Sequence, residues 1–381
     1  MRRVPLPEAE VNVFCARSAN AASTFPWRPR ELDWKKVLEY AQLHGVLQFL
    51  AAALARAEIR PPGPWSGILV TQQQRNAVRA MVQHRECAAV LRALTEASIP
   101  VATFKGTSLS KLLYGRVTDR ISSDVDILIR RADVHGAHEV MARLGYVRVD
   151  SASRMETEEL LACGIEMAFV NPSGVLVEVH WRLLEPEQAF GFPNDFESLR
   201  IVGDQIASED LFLILVMHGL AHRWEMLKWI VDIDAFTRNV SLDWDVVWRR
   251  AAETGTLRAA KVALLLVNAL FGTPLPMPVE DRAAHRLASR YVQSLLEARH
   301  IRPAADFWMQ IAARERWSDR KRFVSFVARV KPWDHAGKGP KRLSRFFRLL
   351  KQNFRRSQLA EVQKIPELQP PLIEGVRRER S

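Results

Sequence analysis

The sequence predicts an α+β protein in which a small α/β domain sits between an N-terminal and a C-terminal helical region. Three observations carry this. Between Ile99 and Trp181, apolar runs of strand length alternate with helical patterns and are separated by turn residues. Before Ile99 and after Ser208, apolar residues recur at helical spacing over long stretches. Asn171-Pro172-Ser173-Gly174 joins the apolar runs Ile165–Val170 and Val175–Trp181 as a hairpin turn would. The expected organisation is a mobile lead over 1–30, an N-terminal helical region over 31–98 and an α/β domain over 99–200. A C-terminal helical domain with a basic end (201–358) and a disordered tail (359–381) follow.

Residues 1–30 are rich in Pro, Ala and Arg and show no period. Leu32–Ala57 reads as helical, because Trp34, Val37, Leu38, Ala41, Leu43, Val46, Leu47 and Leu50 recur at helical spacing. His44 within it reads as a packed or hydrogen-bonded histidine. Pro61-Pro62-Gly63-Pro64 breaks the pattern, and a long helix over 66–97 precedes the first strand. Ser108–Tyr114 reads as a short helix behind a Gly-Thr turn, 132–144 as a helix ending at Gly145, 146–149 as a strand and 153–162 as a short acidic helix. Ser208 reads as an N-cap, with Glu209 and Asp210 in the first turn of an apolar helix. Helices over 242–253, 257–271, 280–300 and 318–330 complete the pattern.

The chemistry concentrates in three carboxylates. Side chains at i and i+2 of a strand share a face, so a strand from Asp124 to Ile129 sends Asp124 and Asp126 one way and Val125, Ile127 and Ile129 the other. On the second strand of the hairpin, Leu176, Glu178 and His180 share a face opposite Val175, Val177 and Val179. Aligned carboxylates repel one another and lose hydration. A divalent cation with oxygen ligands relieves both costs, and a Glu inside an apolar strand is costly unless paired or on a metal.

These residues resemble the DNA-polymerase-β-like nucleotidyltransferase superfamily. Its pattern is a Gly-Ser or Gly-Gly turn, an Asp-x-Asp on the next strand and a third carboxylate on a later one. Gly106-Thr107 takes the place of the turn, with Thr for Ser, and sixteen residues separate Thr107 from Asp124. The segments KGTSLSKLLYG, RISSDVDILI, LGY, VEVHWRL, HGLAHRW and WIVDIDAF are similar to a bacterial family of largely uncharacterised nucleotidyltransferases, from about His44 to Gly272. The resemblance implies transfer of a nucleoside monophosphate from an NTP such as ATP to an acceptor, with Mg²⁺ or Mn²⁺ held by Asp124, Asp126 and Glu178. It implies contacts to the triphosphate from Lys105, Gly106, Thr107 and Arg120. For Arg120 an ion pair with a core carboxylate is the competing role, and for Lys105 a solvated strand end. His180 stands beside Glu178, where it touches the acceptor or only packs the sheet. His218 and His222 share a helix face, but Gly219 stands where a zinc enzyme's HExxH motif would place its Glu and no third ligand is evident. They read instead as residues near the site mouth, in reach of nucleotide or acceptor. Asp232 is expected to pair with Arg223 or a histidine, and Asp234 to lie on a helix surface. The rival reading is a non-catalytic nucleotide- or nucleic-acid-binding protein, against which the carboxylate trio argues, since it would repel phosphate without metal.

Composition sets the outer bounds. Hydrophobic residues at 48% and charged residues at 26% suit a globular protein rather than a disordered one. Cys15, Cys87 and Cys163 lie far apart and form neither a disulfide framework nor a CxxC site, which fits a reducing cytoplasm. Leu211–Met217 is too short to span a bilayer, and the N-terminus lacks the apolar core of a secretory signal. The net charge of +12 belongs to 314–358, which holds fifteen Lys or Arg against three acids. Within it Leu343, Phe346, Phe347, Leu350 and Phe354 form an apolar stripe between basic residues. Such a helix suits a membrane surface or another anionic partner, or packs its stripe on the helical domain.

Overall fold

The computed structural model describes residues 7–17, 27–149, 157–185, 190–297 and 301–328. The chain opens in a packed helix, α1 (Pro7–Arg17), rather than a mobile lead. Ala9, Val11, Val13, Cys15 and Ala16 are all buried, and the Asn12 amide donates to the carbonyls of Glu8 and Val37. A helix buried on several sides has no amphipathic stripe for the sequence to display. The helical stretch expected over 32–57 is two helices, α2 (Trp34–Leu43) and α3 (Leu47–Arg56). They part at Gly45, which has φ +67° and lies against the Lys228 side chain. The break gives His44 its role: Nδ1 accepts from the Leu227 amide and the carbonyl from the Lys228 amide, supplying partners at the start of a later helix. α4 (Trp65–Glu96) then runs for 32 residues.

The sheet segment follows in the order β1 (Val101–Thr103), α5 (Gly106–Tyr114), β2 (Val125–Ile129), α6 (Val134–Arg143) and β3 (Val147–Arg148). After these come α7 (Thr157–Cys163), β4 (Glu166–Val170), β5 (Leu176–His180), β6 (Ile201–Val202) and β7 (Gln205–Ile206). The sheet order is β3-β4-β5-β2-β1-β7-β6, with β2/β5 and β1/β7 parallel and the other pairs antiparallel. The β6–β7 hairpin was not anticipated, because two-residue strands are too short to show alternation. On one face Val101, Val125, Ile127, Ile129, Val177 and Val179 are buried with residues of α4, α6 and α7. On the other, Ala102, Phe104 and Leu128 join a larger core built from the helices.

That core comes from α8 (Ser208–Ala221), α9 (Leu227–Asn239), α10 (Trp244–Thr254), α11 (Leu257–Phe271), α12 (Arg282–Leu296), α13 (Pro303–Ala313) and α14 (Trp317–Ala328), together with α1 to α3. Ala207 rather than Ser208 caps α8, and the buried Asp210 of its first turn pairs with Arg200 and Arg250. Contacts group the chain as one compact unit through Asp334, so the helical and sheet segments are not separate bodies. The start of the basic segment is also not free surface charge. Arg314 is buried with its guanidinium 4.1 Å from the Phe323 ring and 4.5 Å from that of Phe190. Arg316 donates to the carbonyls of Ala252 and Glu253, and Arg322 to that of Phe190. The amphipathic stripe at 343–354 and the tail from 359 lie outside the described residues. No helix among the described residues is long and apolar enough to cross a membrane.

Candidate active site

Strand register places the site. Asp126 of β2 lies opposite Glu178 of β5, and Leu128 opposite His180. On the far side of β5, Glu178 lies opposite Ala168 and His180 opposite Glu166 of β4. Side chains in register on neighbouring strands meet on one face, so Asp126, Glu178, His180 and Glu166 form a patch. His180 Nε2 is 3.5 Å from Asp126 Oδ1 and 3.6 Å from Glu178 Oε2, and its Nδ1 is 3.0 Å from Glu166 Oε2. One potential ligand atom from each of Asp126, Glu178 and His180 falls within a mutual 4.8 Å. Asp124 precedes β2 and is not in that group; the hydroxyls of Ser122 and Ser123 donate to its carboxylate. Glu166 escaped the sequence reading. Its signal was there, since Glu166 and Ala168 alternate with the buried Met167 and Phe169, but the partner across the hairpin depends on register.

The turn after β1 closes over this patch. Gly106 has φ +61°, and a Cβ there would lie 3.2 Å from the Asp124 carbonyl oxygen and 3.7 Å from Val125 Cα. Glycine is therefore needed twice, for its dihedral and for close backbone approach. The N-terminus of α5 thus abuts the strand carrying Asp126, and no side chain caps it. Thr107 is buried and its Oγ1 has no hydrogen-bond partner. Lys105 Nζ is 3.8 Å from Asp126 Oδ1, so the lysine belongs to the site rather than to a solvated strand end.

Arg120 takes its competing role. It is buried, and its Nε lies 2.9 Å from both oxygens of the buried Asp232, which also accepts from the Tyr114 hydroxyl. A guanidinium so engaged anchors the loop before β2 to α9, and Arg120 also acts electrostatically on Asp126. Asp232 pairs with Arg120, not with Arg223 or a histidine. Asp234 is buried rather than on the surface, bound by Arg238 and the Thr273 hydroxyl. His218 and His222 pack around Trp229, with ring centroids 5.4 and 5.1 Å away. Gly219 is required by packing, since a Cβ would collide with the Trp224 ring.

The sequence model of the uncharacterised nucleotidyltransferase family matches residues 30–272, well over half of the chain. The chain belongs to that family. No curated protein and no solved structure matches it significantly. The match spans α2 through α11 and contains the whole Asp126–Glu178–His180 patch.

Nucleotidyltransferases generally use divalent cations, and Asp126, Glu178 and His180 form a group that fits one. Asp126 is buried, yet its Oδ2 has no hydrogen-bond partner. A buried orphan carboxylate oxygen is costly without a ligand. The electrostatics agree. Burial pushes Glu178 up to about 7; His180 opposes this, while Glu166, Asp126 and Asp124 add to it. Burial disfavours charge on Asp126, but Lys105, His180 and Arg120 outweigh it and hold its pKa below the usual carboxylate value. Burial likewise works against a charged His180, and Glu166, Asp126 and Glu178 overcome it, raising the imidazole to about 10. Without metal, then, Lys105 and a protonated His180 offset part of the patch's negative charge. His218 behaves oppositely: burial, then Lys105 and His222, drive its pKa down. His222 is shifted the same way, by burial and then by Lys105, Arg223 and Lys228.

Proposed function

We propose that the protein transfers a nucleoside monophosphate from an NTP to an acceptor hydroxyl, releasing pyrophosphate, from a polymerase-β-like domain over residues 99–200. The observation that carries this is the cross-strand pair Asp126–Glu178, together with the uncapped N-terminus of α5, whose Gly106 packs on the backbone of 124–126. One side of the cleft offers carboxylates for cations, and the other offers backbone amides for phosphate.

Asp126 and Glu178, with Asp124 two residues before on the strand approach, would hold Mg²⁺ or Mn²⁺ in pairs. Such ions stabilise charge on the attacking and leaving oxygens of an in-line displacement. The amides of Gly106 and Thr107 and the Thr107 hydroxyl would receive the triphosphate. Lys105 would turn from Asp126 to a phosphate oxygen. The acceptor oxygen bonds to the α-phosphorus as the bond to pyrophosphate breaks, and its proton passes to Glu178. Arg120 would act at a distance, by fixing the loop that leads into Asp124.

The test is incubation of purified protein with α-labelled NTPs, Mg²⁺ or Mn²⁺ and an extract containing candidate acceptors. Label on a macromolecule or small acceptor, absent with Asp126→Asn, is the expected result. Nucleotide binding of equal affinity in EDTA, with no label transferred, would instead support a protein that only binds nucleotide.

A further inference from the structure

The patch contains a nitrogen donor where carboxylates alone would suffice, and that donor is held in place from behind. His180 is buried in the sheet, with Phe104 edge-on to its ring at 5.1 Å. Its Nε2 side faces Asp126 and Glu178, and its Nδ1 is 3.0 Å from Glu166. Rotating the ring would carry Nε2 away from the carboxylates and Nδ1 away from Glu166. Glu166 reaches this position because β4 and β5 are in register at Glu166↔His180, while its own side chain remains about one-third exposed. Both imidazole nitrogens lack a fully aligned hydrogen bond, and so does the buried Asp126 Oδ2. These three unsatisfied atoms belong to one cluster, and a cation among them would use the Nε2 and Oδ2 positions.

We infer that His180 is itself a metal ligand, that Glu166 is the positioning residue which orients it, and that the resulting two-oxygen, one-nitrogen set favours Mn²⁺ over Mg²⁺. The inference rests on the proposed metal-dependent transfer only in taking a divalent ion to belong here. The chemistry is general. Mg²⁺ prefers oxygen ligands and retains its waters, whereas imidazole is a better ligand for first-row transition ions. A ligating histidine whose second nitrogen faces a carboxylate is the usual arrangement in such sites, and loss of that carboxylate weakens metal affinity about 10–100-fold. Asp124 remains free to serve a second ion, since the group of donors does not include it.

The experiment measures metal binding to the full chain without nucleotide. Mn²⁺ is titrated by its electron paramagnetic resonance signal, Mg²⁺ by displacement, and bound Mn²⁺ is examined for nitrogen hyperfine coupling from imidazole. Expected are a roughly tenfold or greater preference for Mn²⁺, a nitrogen coupling that disappears in His180→Gln, and an affinity lowered about 10–100-fold in Glu166→Gln. Mg²⁺ affinity should change far less in both variants. Glu166 is partly exposed, so its variant keeps the test open if His180→Gln fails to fold. Equal affinities for the two ions, or Mn²⁺ bound without nitrogen coupling, would overturn the inference. Unchanged Mn²⁺ affinity in Glu166→Gln would remove Glu166 from it. The two readings fail separately: Mn²⁺ preference without NMP transfer would refute only the proposed function. Transfer with no Mn²⁺ preference would refute only this inference.

Discussion

One charged group includes Tyr114 at the end of α5 and the other adjoins Gly106 at its start, and they are built on opposite principles. In the first, Arg120 and Asp232 neutralise one another and Tyr114 donates to the same carboxylate. In the second, Asp126, Glu178 and Glu166 crowd around His180 and Lys105, with Asp126 Oδ2 and Thr107 Oγ1 left without partners. Closed pairing holds the loop before β2 against the helices. Open pairing leaves ligand atoms for something that is not part of the protein. A buried charge whose partners are all present is accounted for by the structure, and a buried polar atom without a partner calls for an explanation, of which a ligand is one.

The largest effect should come from the open group. Asp126→Asn is expected to lower NMP transfer by more than about a thousandfold, roughly 4 kcal/mol, with a cooperative melting transition retained. Activity within tenfold of the parent protein would show that the open group is not catalytic. The closed group should respond in the other currency. Asp232→Asn leaves Arg120 buried without its counter-charge and should cost about 3–5 kcal/mol of stability, measured by urea unfolding. A loss below about 1 kcal/mol, or a loss of nucleotide affinity in a variant of unchanged stability, would break the contrast.

Glu178 sharpens it further. Its carboxyl is raised from 4.5 to about 7, so its ionisation favours the unfolded chain, and stability falls as pH rises between those values. In EDTA at pH 8, Glu178→Gln should therefore be more stable than the parent by on the order of 1–2 kcal/mol, while transfer collapses. Equal melting temperatures at pH 8 would show the clustered charges already relieved. The smallest effect concerns His218, whose folded pKa lies below 6.5, so that the unfolded chain binds the proton first. Stability should fall as pH drops below about 6.5, and His218→Gln should flatten that slope by up to about 1 kcal/mol per pH unit. Parallel pH–stability curves would show that His218 carries no such penalty.

Much of this was legible in the chain. The period-2 runs identified β1, β2, β4 and β5, and the Asn-Pro-Ser-Gly turn their hairpin. The i, i+2 rule set Asp126 and Glu178 on the same kind of face, opposite valines and isoleucines that do form the other core. Glycine at 106 was readable as a turn residue. What escaped has physical causes. α1 is buried on several sides and shows no stripe, and β6–β7 is too short to show a period. His44-Gly45 is a break only because Gly45 adopts a left-handed conformation against Lys228. Arg314 looks like surface charge until the two phenylalanine rings that cover it are in place.

The sequence by itself determined which residues could form strands and helices and which side chains share a face, because those depend on spacing along one chain. Only the tertiary structure decided who meets whom. Arg120 finds Asp232 across 112 residues, His180 finds Glu166 through hairpin register, and Asp124 turns to its serines while Asp126 enters the donor cluster. Partner choice among charges is settled by burial, since in a low-dielectric interior each ionised group must take the nearest compensation the packed chain can bring.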